Sequence, residues 1–264
     1  MIAVVWQRMG RDDVLIFAAS TAYAAVLSVF PLLIAVIALL SLFVEQAAAQ
    51  DAVLRALRPY LPDQSLSLVR ETLQGVVQTR ETAGLVGVLG LFWGATAVAG
   101  SLREAINRVL HASPRTYWRR KLIDLGMVIV GGIFFSLSLL GSALLAVLGV
   151  RPLGVAFERA TGGLAPVLAV VGPVLFSAAA VFVAYRFLPN VHLRARSLMW
   201  GTLVGVTLFE VSKTAFFIYL RTLAAYPVVY GPLAGLVVFM VWVYLVAVAV
   251  LLGAEVMAVM EGRP

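Results

Sequence analysis

Residues 197–220 read SLMWGTLVGVTLFEVSKTAFFIYL, a segment long and apolar enough to cross a bilayer core of about 30 Å. Glu210 and Lys213 nevertheless lie well inside this segment. A charge at that depth costs at least about 2.5–3.5 kcal/mol on insertion scales, so each side chain needs a partner or a watery cavity. At about 100° per residue the two charges share one helix face, and Gly201 and Gly205 lie on roughly the opposite face. The segment therefore predicts a membrane-spanning helix with one charged side and one side for close helix packing.

Two interpretations of the charged pair stay open at this point. Glu210 and Lys213 are three residues apart, so they neutralise each other on one helix, and a buried ion pair of this kind can be purely structural. Ionisable side chains inside a membrane also line pathways or bind polar ligands. On that second interpretation we group the pair with Arg221 and Tyr23 as a hypothetical substrate or ion pathway.

The composition of the whole chain is that of a membrane protein. Of its 264 residues, 62% are hydrophobic and 12% are charged, whereas a soluble domain has about 25% charged residues. The chain has no cysteine and two histidines, which excludes disulfides, thiol nucleophiles and a histidine-rich metal centre. No nucleic-acid-binding motif accompanies the net charge of +7. We expect an all-α polytopic membrane protein without catalytic residues, metal, cofactor or nucleic-acid partner.

Six apolar segments predict a single six-helix membrane domain over residues 1–264. Their approximate bounds are 14–44, 83–102, 122–149, 164–187, 197–220 and 231–254. Residues 45–82 are too polar to span but have apolar positions at helical spacing, which predicts extracytoplasmic amphipathic helices. Pro31 lies near the middle of the first span, where its ring removes a backbone hydrogen bond and is expected to kink the helix.

The Lys and Arg residues predict the orientation in the membrane. With both termini inside, the inside segments hold 12 of these residues and the outside loops hold 7, which favours cytoplasmic termini. The strongest basic cluster follows the second span and comprises Arg103, Arg108, Arg115, Arg119, Arg120 and Lys121. The cluster is expected to report topology, and anionic lipid headgroup contact is a further hypothesis for four of its members; these are Arg115, Arg119, Arg120 and Lys121. We expect His111 to be a solvated loop residue and Glu255 to face water or a helix end, with a polar core as the alternative.

Several segments together resemble one known family. They are AASTAYAAVLSVFPLL with Tyr23 and Pro31, LREAINRVLHASPRTYWRRK with Asn107, Leu188–Pro189, Tyr230–Gly231, and VWVYLVAVAVLLGAEVMAV with Trp242 and Glu255. In order and spacing they resemble the YihY/BrkB family of bacterial inner-membrane proteins, once labelled ribonuclease BN; Pro232 departs from the pattern. The resemblance implies a six-helix inner-membrane fold without an assigned reaction. The residues do not support the nuclease label, because a metal-dependent nuclease needs clustered histidine and carboxylate ligands.

Three function classes follow, in decreasing order of support. The first is a transporter or lipid translocator that uses Glu210 and Lys213, kinked spans and basic loops suited to anionic headgroups. The second is a structural, assembly or envelope-integrity protein without transport, which would bind partners through 45–82 and the glycine faces. The third, an intramembrane enzyme, lacks any catalytic motif. The expected partners are membrane lipids, anionic phospholipids among them, and a homo-oligomer stays open.

Overall fold

A computed structural model describes residues 2–40, 80–113, 121–126, 165–222 and 233–263, together with 51, 53–55, 58, 66–67, 69–71 and 118. The long helices within these residues are α1 (Ile2–Arg11), α2 (Val14–Leu40), α3 (Arg80–Val109), α4 (Ala165–Phe187), α5 (Ala195–Thr222) and α6 (Ala234–Met260). The described residues contain no strand. The all-helical prediction is therefore confirmed for this part of the chain.

Among the described residues, three helices are long and apolar enough to cross a membrane. They are Val14–Ile34 within α2, Ala195–Leu220 within α5 and Ala234–Met260, which is α6. A shorter apolar helix, Val174–Phe187, forms most of α4. Six spans were expected, and the described residues contain these three and the shorter apolar helix. The expected third span, 122–149, lies outside the described residues beyond residue 126.

Helix α3 continues past the expected end of the second span at residue 102. It runs to Val109, so Arg103 and Arg108 lie on a helix and the prediction that they belong to a loop is wrong. The physical reason is an apolar stripe at helical spacing, because Ala105, Ile106 and Val109 are fully buried. Burial of these residues stabilises the helix beyond the apolar segment that was expected to form the second span.

Helices α2 and α3 pack closely and antiparallel. The Thr21 and Ser101 hydroxyls are 3.0 Å apart. Closer to the other end, a Cβ on Gly94 would lie 2.8 Å from the Cβ of Ser28, so only glycine allows this approach. Helix α2 continues through Pro31, whose ring lies against Gly90. The proline thus lies in a helix contact.

Small residues also bring α5 against α6. A Cβ on Gly201 would lie 2.9 Å from the carbonyl oxygen of Gly253, and one on Gly253 would lie 3.0 Å from the Cα of Gly205. The buried Tyr185 of α4 lies beside Gly205 and Gly253, and its hydroxyl donates a hydrogen bond to the carbonyl of Val250. A side chain on either glycine would meet the phenol, so the glycines make room for the contact of three helices.

The buried core lies at one end of the molecule, where the starts of α2 and α5 meet the ends of α3, α4 and α6. Its largest apolar members are Tyr185, Ile106, Leu110, Leu188, Leu251 and Met257. Helix α1 joins this end through a tight turn at Asp13, which has a φ of 56°. We call this region the closed end.

Candidate functional site

The charged pair predicted in the fifth span forms an ion pair within α5. Lys213 Nζ contacts Glu210 Oε2, and the side chains are 29% and 24% exposed. The hydroxyl of Ser177 on α4 donates a hydrogen bond of 3.2 Å to Glu210 Oε1. We call Glu210 and Lys213 the intramembrane pair. It is neutral as a unit, supported by a second helix, and still reachable from outside the protein.

The intramembrane pair lies at depth within its candidate span, Ala195–Leu220. At 1.5 Å per residue, Glu210 lies about 22 Å from the start of the span and about 15 Å from its end. Lys213 lies about 10 Å from the same end, so both charges lie inside the candidate span and away from its two ends. Two opposite charges that are a quarter exposed at this depth present one group complementary to an anion and one complementary to a cation.

An aromatic cluster adjoins the intramembrane pair. Lys213 Nζ lies 5.6 Å from the ring centroid of Phe209, within the range of a cation–π interaction. The Trp242 ring of α6 lies 5.8 Å from Phe209 and 5.1 Å from Phe216, measured between centroids. These contacts fix the α5–α6 packing beside the pair and give the ammonium a second favourable contact.

The remaining predicted pathway residues do not join the pair in one described cavity. Tyr23 is 64% exposed and lines a cavity between α2 and α3. The backbone of Arg221 lies in the last turn of α5, and its side chain lies outside the described part of the structure. Arg221 follows Glu210 by about 16 Å of helix rise, so its Cα is remote from the pair.

Of the four basic residues expected at the lipid surface, the structure describes one. Lys121 is exposed at the start of a helical turn over residues 121–126. Arg115, Arg119 and Arg120 lie outside the described residues. The turn that begins at Lys121 is tied to α3, as the ion pair described below shows.

A buried charged network at the closed end was not predicted. Arg8 Nε donates to Glu255 Oε2 at 3.0 Å, and Nη1 donates to the carbonyl of Arg263 at 2.8 Å. Arg8 Nη2 reaches the carbonyl of Val109 at 3.5 Å and lies 3.7 Å from Asp12 Oδ2. One guanidinium therefore joins α1 to the ends of α3 and α6.

Glu255 differs from its expected surroundings, whereas His111 is an exposed turn residue, as expected, and also contacts the network. Glu255 is fully buried, so the expectation that it faces water or a helix end is wrong and the polar-core alternative holds. His111, in a turn with a φ of 47°, places Nε2 3.3 Å from Asp12 Oδ1. Arg263 Nη1 donates to the carbonyl of Leu110 at 2.9 Å. The network thus ties the chain termini to the turn after α3.

A second buried ion pair and the hydrogen-bonded side-chain amide of Asn107 lie next to this network. Arg103 donates from Nε to Asp124 Oδ1 at 2.7 Å and from Nη2 to Oδ2 at 3.3 Å, a bidentate arrangement. The Asn107 amide nitrogen donates to the Leu188 carbonyl at 3.2 Å, and its oxygen accepts the Asn190 backbone N–H at 2.6 Å. Asn107 therefore satisfies the backbone of the turn after α4.

The end of α6 contacts the start of α5 through Glu261. Its Oε1 accepts the backbone N–H of Arg194 at 2.9 Å, just before the first residue of α5. Partial burial alone would raise the pKa of Glu261, but hydrogen bonds from Ser197 and Arg194 and the charges of Arg194 and Arg263 lower it below its ordinary value. A carboxylate at a helix N-terminus is further favoured by the helix dipole.

Comparison with known proteins identifies the family. The sequence profile of the family described as virulence factor BrkB matches residues 5–264. The chain belongs to the BrkB family. Its relatives include a UPF0761 membrane protein of Photobacterium profundum, 30% identical over 265 residues, which cover 97% of this chain and 79% of the relative. Another, from Aeromonas salmonicida, is 30% identical over 269 residues, covering 96% of this chain and 86% of the relative. No solved structure matches the chain.

The family resemblance expected from the sequence is thus confirmed, and three of the segments that carried it lie close together. Asn107 of the basic segment bonds to Leu188 of the Leu–Pro segment. Glu255 of the last segment bonds to Arg8, which also reaches Val109. In this BrkB-family protein these three segments therefore contribute to the closed end, and the intramembrane pair lies outside it.

Proposed function

We propose that this BrkB-family protein crosses the bacterial inner membrane six times and translocates a charged lipid headgroup across it at the intramembrane pair. The observation that carries the proposal is the partial exposure of both charges deep inside a candidate span. A structural pair has no need of an opening to its surroundings, whereas a transfer site must admit its ligand. Glu210 would receive a cationic group and Lys213 a phosphate, so the proposed activity is transfer rather than catalysis.

The proposal includes cytoplasmic termini. The segments counted as inside are the N-terminal residues, the residues after the second span, the loop after the fourth span and the C-terminal residues. Described residues of these segments lie together at the closed end, where Arg8 contacts both Val109 and Arg263. The loop after α4 joins them through hydrogen bonds from Asn190 to Ser113 and from Arg194 to Glu261. Their common side and their excess of Lys and Arg both support a cytoplasmic location. Arg115, Arg119, Arg120 and the exposed Lys121 are proposed to hold anionic headgroups on that side.

The competing hypothesis is a structural or envelope-integrity protein without transport. It is favoured by the internal neutralisation of the intramembrane pair, with Ser177 as a further ligand of Glu210. On this hypothesis the pair fixes α4 against α5 and meets no ligand. The two hypotheses differ in what a neutral replacement of the pair does to activity.

The deciding variant combines Glu210→Gln with Lys213→Met. It removes both charges, and replacing a whole ion pair is often close to neutral for stability, so a folded protein is expected. We expect thermal unfolding in detergent close to that of the parent, and loss of labelled-lipid transfer between the leaflets of proteoliposomes.

The matched control is Thr207→Val, one turn before Glu210. The hydroxyl of Thr207 donates a hydrogen bond to the carbonyl of Leu203 in its own helix. This variant should keep both fold and transfer. Full transfer by the double variant would reject the site and leave the pair as a structural element.

A further inference from the structure

A second surface feature lies apart from the intramembrane pair. A cavity of about 390 Å³ opens between α2 and α3, and all of its lining residues belong to these two helices. We call it the α2–α3 groove. The residues that define its character are Phe17, Ser20, Leu27, Trp93, Ser101 and Glu104.

The antiparallel register gives the groove a polar end and an apolar end. Ser20 and Ser101 have hydroxyls 3.3 Å apart, which places Phe17 opposite Glu104 and Leu27 opposite Trp93. Ten residues separate Phe17 from Leu27, a rise of about 15 Å along α2. The polar end lies near Val14, where the candidate span begins, and the apolar end lies deeper. An amphiphile with its headgroup at the interface and its chain in the membrane has the same polarity.

The charges at the polar end are available for a ligand. Glu104 is exposed and has no ion pair within the part of the chain that the structure describes, unlike its neighbour Arg103, which binds Asp124. Arg108 is exposed one turn further along the same face, just beyond the groove, and forms no ion pair with the described residues. A carboxylate beside the Phe17 ring is complementary to an ammonium, and an adjacent guanidinium is complementary to a phosphate.

We propose that the α2–α3 groove binds a phospholipid with a primary-amine headgroup. The ammonium lies between Glu104 and Phe17, and the phosphate lies toward Arg108. Ser20 and Ser101 adjoin the glycerol region, and an acyl chain lies against Leu27 and Trp93. This site is separate from the intramembrane pair and does not depend on the proposed translocation.

The test is native mass spectrometry of the full-length protein in detergent, titrated with dioleoyl phosphatidylethanolamine or dioleoyl phosphatidylglycerol. The two lipids share acyl chains and phosphate and differ in the amine. Glu104→Gln should weaken binding of the ethanolamine lipid about fivefold, as for loss of one exposed charge contact, and leave the glycerol lipid unchanged. Glu71→Gln, another exposed glutamate outside the groove, is the control and should change neither affinity.

A second variant fills the groove. Ala97→Phe places a ring on a lining residue, so binding of both lipids at this site should fall. The control Ala215→Phe adds the same ring at an exposed position of α5 and should not affect binding. Thermal unfolding of each variant establishes that it is folded, and Glu104→Gln serves as the test should Ala97→Phe fail to fold.

Two outcomes would overturn the proposal. Equal loss of both lipids in Glu104→Gln would show that the amine is not recognised. A change of the groove variants from dimer to monomer, with the number of bound lipids unchanged, would show that a second copy of the chain covers the groove.

Discussion

The Arg8–Glu255 pair at the closed end and the intramembrane pair in α5 differ in how far their charges are enclosed. The side chains of Arg8 and Glu255 are 9% and 0% exposed, whereas those of Lys213 and Glu210 are 29% and 24% exposed. Arg8 also bonds to two backbone carbonyls, so its guanidinium is held by several elements at once. Lys213 bonds within its own helix, so its flexible stem can release the carboxylate without disturbing the packing of other helices.

This contrast fits a structural use of the enclosed charges and the ligand-binding use proposed for the partly exposed ones. At the closed end the ions are enclosed by elements far apart in sequence, and loss of one partner would strand a charge in the core. On the proposed function, a ligand replaces either partner in α5 while α5 stays helical. We therefore expect stability to depend on the first pair and activity on the second.

The largest expected effect is on stability from Glu255→Gln. It leaves Arg8 without its closest carboxylate in a buried site and should lower the free energy of unfolding by about 3–5 kcal/mol. Glu210→Gln, the same chemical change in a partly exposed pair, should cost about 1 kcal/mol or less if water reaches Lys213, as the proposed transfer site requires. Chemical or thermal unfolding in detergent measures both. Equal losses would show that the two pairs are enclosed alike and would remove the basis of the comparison.

The sequence predicted the apolar helices better than it predicted the charged contacts. The expected fourth span, 164–187, ends at the same residue as α4 and starts one residue earlier. The agreement is close because a continuous apolar stretch of this length is itself the local signal of a membrane helix. The Arg8–Glu255 contact joins residues 247 positions apart, and no local pattern reports such a distance. The available signals were a lone glutamate in an otherwise apolar helix and the i, i+4 spacing of Arg8 and Asp12.

The candidate site was predicted only where it depends on residues close together in the sequence. Glu210 and Lys213 are neighbours on one helix, so their pairing follows from spacing, whereas the contribution of Ser177 depends on how α4 packs on α5. Tyr23 was grouped with the pair by residue type, and tertiary packing puts it in the α2–α3 groove instead. Arg103 was assigned to a loop because a charged residue was taken as the end of the apolar segment. The buried apolar positions that follow it continue α3.

An intermediate effect is expected at the second enclosed pair, Arg103 and Asp124. Either Arg103→Met or Asp124→Leu alone strands one buried charge and should cost about 3 kcal/mol, while the double variant should recover most of that loss. The double variant should also keep lipid transfer, unlike the corresponding neutral replacement of the intramembrane pair. A double-mutant cycle on unfolding, with transfer assayed in parallel, measures both quantities. Loss of transfer in a stable Arg103/Asp124 double variant would mean that enclosed pairs also serve activity.

The smallest effect concerns Glu261, whose exposed carboxylate joins the end of α6 to the start of α5. Its folded-state pKa is lowered, mainly by hydrogen bonds from Ser197 and Arg194 that outweigh the effect of partial burial. A carboxyl whose pKa is lower in the folded state stabilises the fold above its unfolded pKa of about 4.3, and this contribution is lost as pH falls through the folded value. Glu261→Gln should therefore lower the melting temperature slightly at pH 7 and have a diminishing effect as pH falls below about 4. Melting curves of parent and variant across this range measure the difference, and a difference that grows with acidification would contradict the assigned contact. Because this carboxylate is screened by solvent, its effect should stay well below that of Glu255→Gln, as the difference in enclosure requires.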